Sequence, residues 1–245
     1  MTGYTGNVAK KYYGGDAHTH PWNAQTYKTW AGKIGNVDGK WVLDLACGAG
    51  HTSRLLAHKG AVVIGVDISE DGIRAARSME NPTTVRYVCR NATTYRAGFT
   101  FDCVSASFLF HYASRLDEML DFANTANVHL PMGGRLVALH SLDSIVPKIE
   151  NGSHWSEWIN PADKTEGAGV RLHILNGMGE EVVPIDYYHW KQKTYDRVLA
   201  RAGFGDIVRI RHKMPTELKD IYPNWRELQK HNASCVLVAT KISEV

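Results

Sequence analysis

The most informative feature of this chain is the spacing between two acidic residues and a glycine-rich turn. A short apolar run carries Asp44 and breaks into Gly48 and Gly50, after which a helical pattern begins. A second apolar run ends in Asp67, nineteen residues after Gly48. Glycines allow a backbone to approach a ligand closely, and an acid at the end of the second strand can accept hydrogen bonds from ribose hydroxyls. The pattern therefore predicts a pocket for a cofactor that contains a ribonucleoside.

The same residues discriminate between cofactors. A dinucleotide-binding turn has a third glycine where this chain has Ser53. A carboxylate at Asp44 would repel a pyrophosphate, but it suits a cofactor that carries an ammonium group and a sulfonium cation. These features favour S-adenosylmethionine over a dinucleotide. The alternative is a glycine turn with no ligand.

The chain resembles the class I S-adenosylmethionine-dependent methyltransferases in the motif of residues 42–50 and in the acid that closes the second strand. Segments 89–92, 101–107 and 130–137 fit the same family, and 194–204 fits it more loosely. We expect the following residues to contact the cofactor: Tyr12, Asp44, Ala46, Gly48, Gly50, Asp67, Ile68, Asn91, Ala92 and Ser107.

Apolar runs alternate with helical patterns along the chain, which predicts an α/β fold with a doubly wound, Rossmann-like parallel sheet. Its fourth and fifth strands are predicted near 101–106 and 135–140. The resemblance implies seven strands, with a reversed hairpin at 206–212 and 234–241. We expect a single domain over 1–245. Residues 1–37 are predicted to form a helical lid, in which aromatics that include Tyr27 and Trp30 either seal the pocket or pack against the domain. Residues 141–193 are predicted to form an inserted cap after strand five, and the alternation at 171–175 and 182–190 predicts a hairpin that turns at 176–179.

Histidines and aromatic residues are the candidates for handling the acceptor. His111 follows the fourth strand, where the resemblance places the transferred methyl group, and His189 lies in the predicted cap; either could act as a base. Trp155, Trp158, Tyr188 and His189 are predicted to bind the substrate, because aromatic walls suit flat or cationic acceptors. Ordinary packing is the alternative for each of them.

Composition excludes several other classes. The 245 residues have a net charge of +3 without a basic stripe, which argues against a nucleic-acid partner. No run is apolar enough to cross a membrane, and no signal pattern opens the chain, so we expect a cytoplasmic monomer or homodimer. The four cysteines lack metal-site spacing, and we expect no metal.

The predicted function is methyl transfer from S-adenosylmethionine to N or O of a small, aromatic or heteroaromatic metabolite, of the type that tailors secondary metabolites. In-line displacement needs alignment and water exclusion more than a fixed catalytic triad. The alternatives are a protein or nucleic-acid methyltransferase, a non-catalytic nucleotide-binding module, and a dinucleotide oxidoreductase.

Overall fold

The computed structural model describes residues 21–79, 82–142, 154–174, 184–220, 225–230 and 234–245. Tyr12 and the first half of the predicted lid lie outside the described residues, as does the turn expected at 176–179. The described helices are α1 (Pro21–Ile34), α2 (His51–His58), α3 (Glu70–Ser78), α4 (Leu116–Val128), α5 (Gln192–Arg201) and α6 (Trp225–Lys230). None of them is long and apolar enough to cross a membrane.

Ten strands are described, and seven of them form the central sheet. They are β1 (Trp41–Leu45), β2 (Val62–Asp67), β3 (Val85–Cys89), β4 (Cys103–Ser107), β5 (Arg135–Ser141), β9 (Phe204–Arg211) and β10 (Ser234–Lys241). Their order is β3-β2-β1-β4-β5-β10-β9. Strand β10 runs antiparallel to both of its neighbours, whereas β1 to β5 pair in parallel. The prediction of a seven-stranded sheet with a reversed final hairpin is confirmed.

Alternation along the strands builds a core on each face of this sheet. Leu43 and Leu45 of β1 pack with α4 and α5 on one face. Val42 points to the other face, where Trp30 of α1 and Leu56 of α2 are fully buried. Because parallel strands are covered on both sides, they are apolar nearly throughout. Tyr27 and Trp30, which the sequence suggested as lid aromatics, belong to this second core.

The insert after β5 forms a separate three-stranded sheet. It contains β6 (His154–Trp158), β7 (Gly169–Ile174) and β8 (Ile185–Tyr188), paired antiparallel in that order. The alternation in the sequence correctly predicted the pairing of β7 with β8 but did not reveal β6. Trp190 ties the end of this sheet to the main domain, because its indole Nε1 donates to the carbonyl oxygen of Ala113 at 2.9 Å.

Candidate active site

The glycine turn and Asp67 form a connected unit at the carboxyl ends of β1 and β2. One Asp67 carboxylate oxygen accepts the backbone N–H of Gly48 at 2.7 Å, and the other accepts that of Ser69 at 2.8 Å. Gly48 has a left-handed φ of 52°, and a Cβ built there would meet nothing within 4 Å. The turn therefore leaves open space beside a carboxylate that still has lone pairs free for ribose hydroxyls.

Gly50 is required for a different reason. Its φ is 78°, and a Cβ at this position would overlap the hydroxyl of Tyr87 on β3. Only glycine fits such a conformation with a ring packed directly against it. Gly50 therefore lies on the side of the turn that packs against Tyr87, whereas Gly48 lies on the open side.

Asp44 is placed differently from Asp67. It is fully buried, and its carboxylate accepts hydrogen bonds from the hydroxyls of Thr52 at 2.8 Å, Ser53 at 2.6 Å and Ser105 at 3.0 Å. These bonds fasten the first turn of α2 to β1 and β4. Burial raises the pKa of Asp44 to about 6, although the three hydroxyl donors oppose the shift. The carboxylate lies behind the glycine turn and is not exposed to the cleft.

The remaining predicted cofactor residues line the same edge of the sheet. Ile68 is 55% exposed directly after Asp67, which is unusual for a large apolar side chain. Asn91 is exposed and Ala92 buried after β3, whose Cys89 pairs with Asp67. Ala46 has a left-handed φ of 59°, a conformation that is strained for a residue with a Cβ. The buried hydroxyl of Ser107 has no hydrogen-bond partner among the described residues.

His111 lies at the carboxyl end of β4, in a short 3-10 turn (Phe110–Tyr112). Its Nδ1 lies 2.8 Å from the hydroxyl of Ser141 at the end of β5, and no described residue bonds to its Nε2. The strained backbone of Phe108, with φ 59°, precedes this turn. Desolvation lowers the pKa of His111 to about 3, so the ring is neutral at physiological pH.

Aromatic rings surround His111. Its ring centroid lies 4.7 Å from that of Tyr112, 4.9 Å from Tyr187 and 5.8 Å from Phe108. Tyr187 belongs to β8, so the insert sheet packs directly against this histidine. The sequence selected neither Tyr187 nor Ser141, because both reach His111 from strands far away in the chain.

The structure places the four predicted substrate residues at different points of the insert. The rings of Trp158 and His189 lie 4.9 Å apart, centroid to centroid. Trp155 pairs with His173 in the ladder of β6 and β7. Tyr188 packs against the core that contains α4 and α5, on the side of β8 opposite to Tyr187. Tyr187 of β8 contacts His111.

Among the described residues, no three histidine, cysteine or acidic side chains come close enough together to hold a metal ion. The arrangement instead consists of a glycine turn with a carboxylate for a nucleoside, and a neutral histidine within aromatic rings. The two parts share the carboxyl edge of the sheet, where ligands bind in open α/β folds.

Several known methyltransferases are similar to this chain. A family model described as a methyltransferase domain matches residues 42–134. The ubiquinone biosynthesis O-methyltransferase of Coxiella burnetii (strain Dugway 5J108-111) is 27% identical over 183 residues, which are 65% of this chain and 72% of that protein. The chain is a methyltransferase.

Solved structures of methyltransferases share its fold. The CcbJ methyltransferase from Streptomyces caelestis is 20% identical with a TM-score of 0.68, and the match covers 98% of both chains. CalS10 from Micromonospora echinaspora, an amino pentose methyltransferase solved with S-adenosylmethionine bound, is 17% identical with a TM-score of 0.58. That match covers 94% of this methyltransferase and 96% of CalS10. The class I methyltransferase fold that the sequence predicted is thereby confirmed.

Proposed function

We propose that this methyltransferase acts on N or O of a small metabolite with an aromatic or heteroaromatic ring. The observation that carries the proposal is the aromatic wall around His111, formed by Phe108, Tyr112 and Tyr187. Apolar rings at the carboxyl end of β4 can hold a flat acceptor against the cofactor cleft. The insert sheet covers this wall through β8, which favours an acceptor small enough to be enclosed.

We assign the cofactor to the glycine turn and its neighbours. Asp67 accepts hydrogen bonds from the ribose hydroxyls, Gly48 leaves room for the ligand beside the turn, and exposed Ile68 packs against the adenine. When bound, the cofactor supplies a methyl group that is already activated on a sulfonium. The buried charge of Asp44 favours the cationic end of the cofactor through space.

His111 positions the acceptor in this proposal. With Nδ1 bonded to Ser141, its Nε2 is the nitrogen that faces an incoming group. Because the pKa of the ring is lowered to about 3, His111 is a poor base for a phenol but an effective neutral hydrogen-bond partner. His189 is a second candidate for the same role, since it lies beside Trp158 on the insert.

The printed names of similar proteins support a small acceptor. The Coxiella burnetii relative is named for ubiquinone biosynthesis, and CalS10 is an amino pentose methyltransferase. The first name specifies an oxygen and the second specifies an amino sugar but no methylated atom, so they do not choose between N and O. The modest net charge of +3 likewise gives no basic surface for a nucleic acid.

Transfer of a labelled methyl group tests the proposal. The protein is incubated with methyl-tritiated S-adenosylmethionine and, in parallel, with a set of small phenols and heteroaromatic amines, a mixed protein extract, and total RNA. We expect label in the small-molecule fraction. Label that appears only in protein or RNA would exclude a small-molecule acceptor.

A further inference from the structure

Several polar side chains beneath α1 are buried with no hydrogen-bond partner. In the part of the chain that the structure describes, both amide atoms of Gln25, the hydroxyl of Thr26 and the Nδ1 of His212 are in this state. Gln25 and Thr26 are fully buried, and His212 is almost so. Buried polar groups are nearly always hydrogen-bonded, because leaving them unpaired costs free energy. A ligand that supplies the missing partners explains their presence.

The position of α1 brings Gln25 and Thr26 to the cofactor edge of the sheet. Arg135 at the start of β5 donates to the carbonyl oxygen of Ile34 at 3.1 Å, so the end of α1 lies at the opposite edge. The nine residues from Gln25 to Ile34 rise about 14 Å at 1.5 Å each, which matches roughly four strand residues along β5. Gln25 therefore lies near the level of Leu139, which pairs with Ser107.

An aromatic contact supports this position of Gln25 along β5. The centroid of the Tyr27 ring lies 4.4 Å from that of His51, which begins α2 directly after the glycine turn. The first half of α1 therefore adjoins the cofactor motif.

His212 belongs to the same region, through contacts on both of its sides. The backbone N–H of Lys213 donates to the hydroxyl of Thr29 at 3.4 Å, and that hydroxyl donates to the carbonyl oxygen of Gln25 at 2.7 Å. On its other side, His212 Nε2 lies 3.0 Å from the hydroxyl of Ser234. The residue therefore sits between α1 and the end of the sheet.

This polar region continues to His111. Ser234 of β10 pairs with Ser141 of β5, and Ser141 bonds to His111 Nδ1 at 2.8 Å. The acceptor position proposed above thus has an aromatic side toward the insert and a polar side toward α1.

We propose that Gln25, Thr26 and His212 form a polar pocket that binds hydroxyl, amide or amine substituents of the acceptor. The inference rests on the proposed small-molecule function and adds a substrate class to it: a ring that bears both hydrogen-bond donors and acceptors. Burial also lowers the pKa of His212 to about 4, so its neutral ring can donate or accept. An acceptor without such substituents leaves the polar groups of the pocket without hydrogen-bond partners and binds more weakly.

The test uses matched probes with the complex of protein and S-adenosylhomocysteine. Phenol is compared with 3-hydroxybenzamide, and aniline with 3-aminobenzamide, by titration calorimetry. We expect the amide-bearing member of each pair to bind about tenfold more tightly or better. The variants Gln25→Met and Thr26→Val, which keep the volume and remove the polar atoms, should reduce that preference and leave binding of S-adenosylhomocysteine unchanged.

The melting temperature separates ligand binding from a structural role. Because the replaced atoms have no partner, both variants should melt at or above the wild-type temperature. Thr125→Val is the matched control: Thr125 is also a fully buried helical threonine, but its hydroxyl donates to the carbonyl oxygen of Thr93 at 3.1 Å. That variant should melt lower and keep the wild-type probe preference.

Three results would contradict the proposed pocket. They are equal or undetectable binding of both members of each pair, an unchanged preference in both variants, and a lower melting temperature in both variants. Loss of S-adenosylhomocysteine affinity in the variants would assign these groups to the cofactor instead. If the wild type itself failed to bind S-adenosylhomocysteine, the methyltransferase function would fail rather than the pocket alone.

Discussion

The two acids of the site act in different ways, although both follow apolar strands. Asp67 holds the glycine turn and keeps lone pairs toward the cleft. Asp44 is enclosed by three hydroxyl donors and has no exposed surface. In the proposed site, replacing Asp67 removes the acceptor for the ribose hydroxyls, whereas replacing Asp44 changes the charge behind the turn.

The raised pKa of Asp44 predicts that cofactor affinity depends on pH. In the ligand-free protein this carboxyl takes up a proton as the pH falls through about 6. The ammonium group of S-adenosylhomocysteine favours the ionised carboxylate, so binding must release that proton at lower pH. We expect the dissociation constant to be flat above pH 7 and to rise by up to about tenfold per pH unit below 6.

Titration calorimetry between pH 5 and 8 checks this expectation. Asp44→Asn preserves the shape of the side chain and should show a shallower slope over the same range. An affinity that does not change between pH 5 and 7 in the wild-type protein would contradict the charged role of Asp44.

Individual residues were predictable from the sequence where their neighbours are local. Asp44, Gly48 and Asp67 sit within or next to short motifs, and the structure joins Gly48 to Asp67 directly. Ser105 lies 61 residues from Asp44, and the pairing of β1 with β4 brings them together. No local pattern indicates such a partner.

At the scale of elements, the insert is held to the domain by Trp190. Its indole is almost fully buried in the core with α4 and α5, and Nε1 donates to the carbonyl oxygen of Ala113, two residues after His111. The same contact therefore supports the sheet that carries Tyr187 and the turn that carries His111.

Trp190→Phe should lower the free energy of unfolding by about 1–3 kcal/mol, because Ala113 loses its donor and a small cavity remains. Affinity for S-adenosylhomocysteine should stay at the wild-type value, since the cofactor residues belong to other elements. Urea unfolding and calorimetry measure the two quantities.

Trp41→Phe serves as the control, because Trp41 is 44% exposed at the opposite edge of the sheet and should tolerate the change. A Trp190→Phe protein as stable as the wild type, or one that binds the cofactor more weakly, would show that the insert is attached differently.

The elements themselves were predicted unevenly. The strands of the main sheet have long apolar runs, and β5 and β10 begin where the sequence predicts. Strand β4 begins at Cys103 rather than at residue 101. The backbone N–H of Phe101 donates to the carbonyl oxygen of His129 and not to a neighbouring strand, so Phe101 is not part of the ladder. Strand β6 was missed, since its residues do not alternate between polar and apolar.

At the scale of the whole molecule, one sheet edge collects the described cofactor candidates and His111 from elements far apart in sequence. The fold, the cofactor and the reaction type follow from the glycine motif and from the order of strands, which the sequence encodes locally. The proposed acceptor side does not, because its residues lie in α1, β5, β8 and β10 and in the segments that follow β4 and β9. Specificity therefore depends on tertiary packing that no motif describes.

The central claim is that the glycine turn and Asp67 bind the nucleoside of S-adenosylmethionine. The most direct test is the dissociation constant of S-adenosylhomocysteine by titration calorimetry, for the wild type and for Asp67→Ala. Loss of the charged acceptor should weaken binding by about 1–3 kcal/mol, or roughly 5- to 150-fold.

Asp71→Ala is the control in the same measurement, because Asp71 pairs only with Arg74 in the exposed first turns of α3 among the contacts described. We expect wild-type affinity for this control and a clear loss for Asp67→Ala. Equal affinity in wild type and Asp67→Ala would contradict the assignment of the cofactor site.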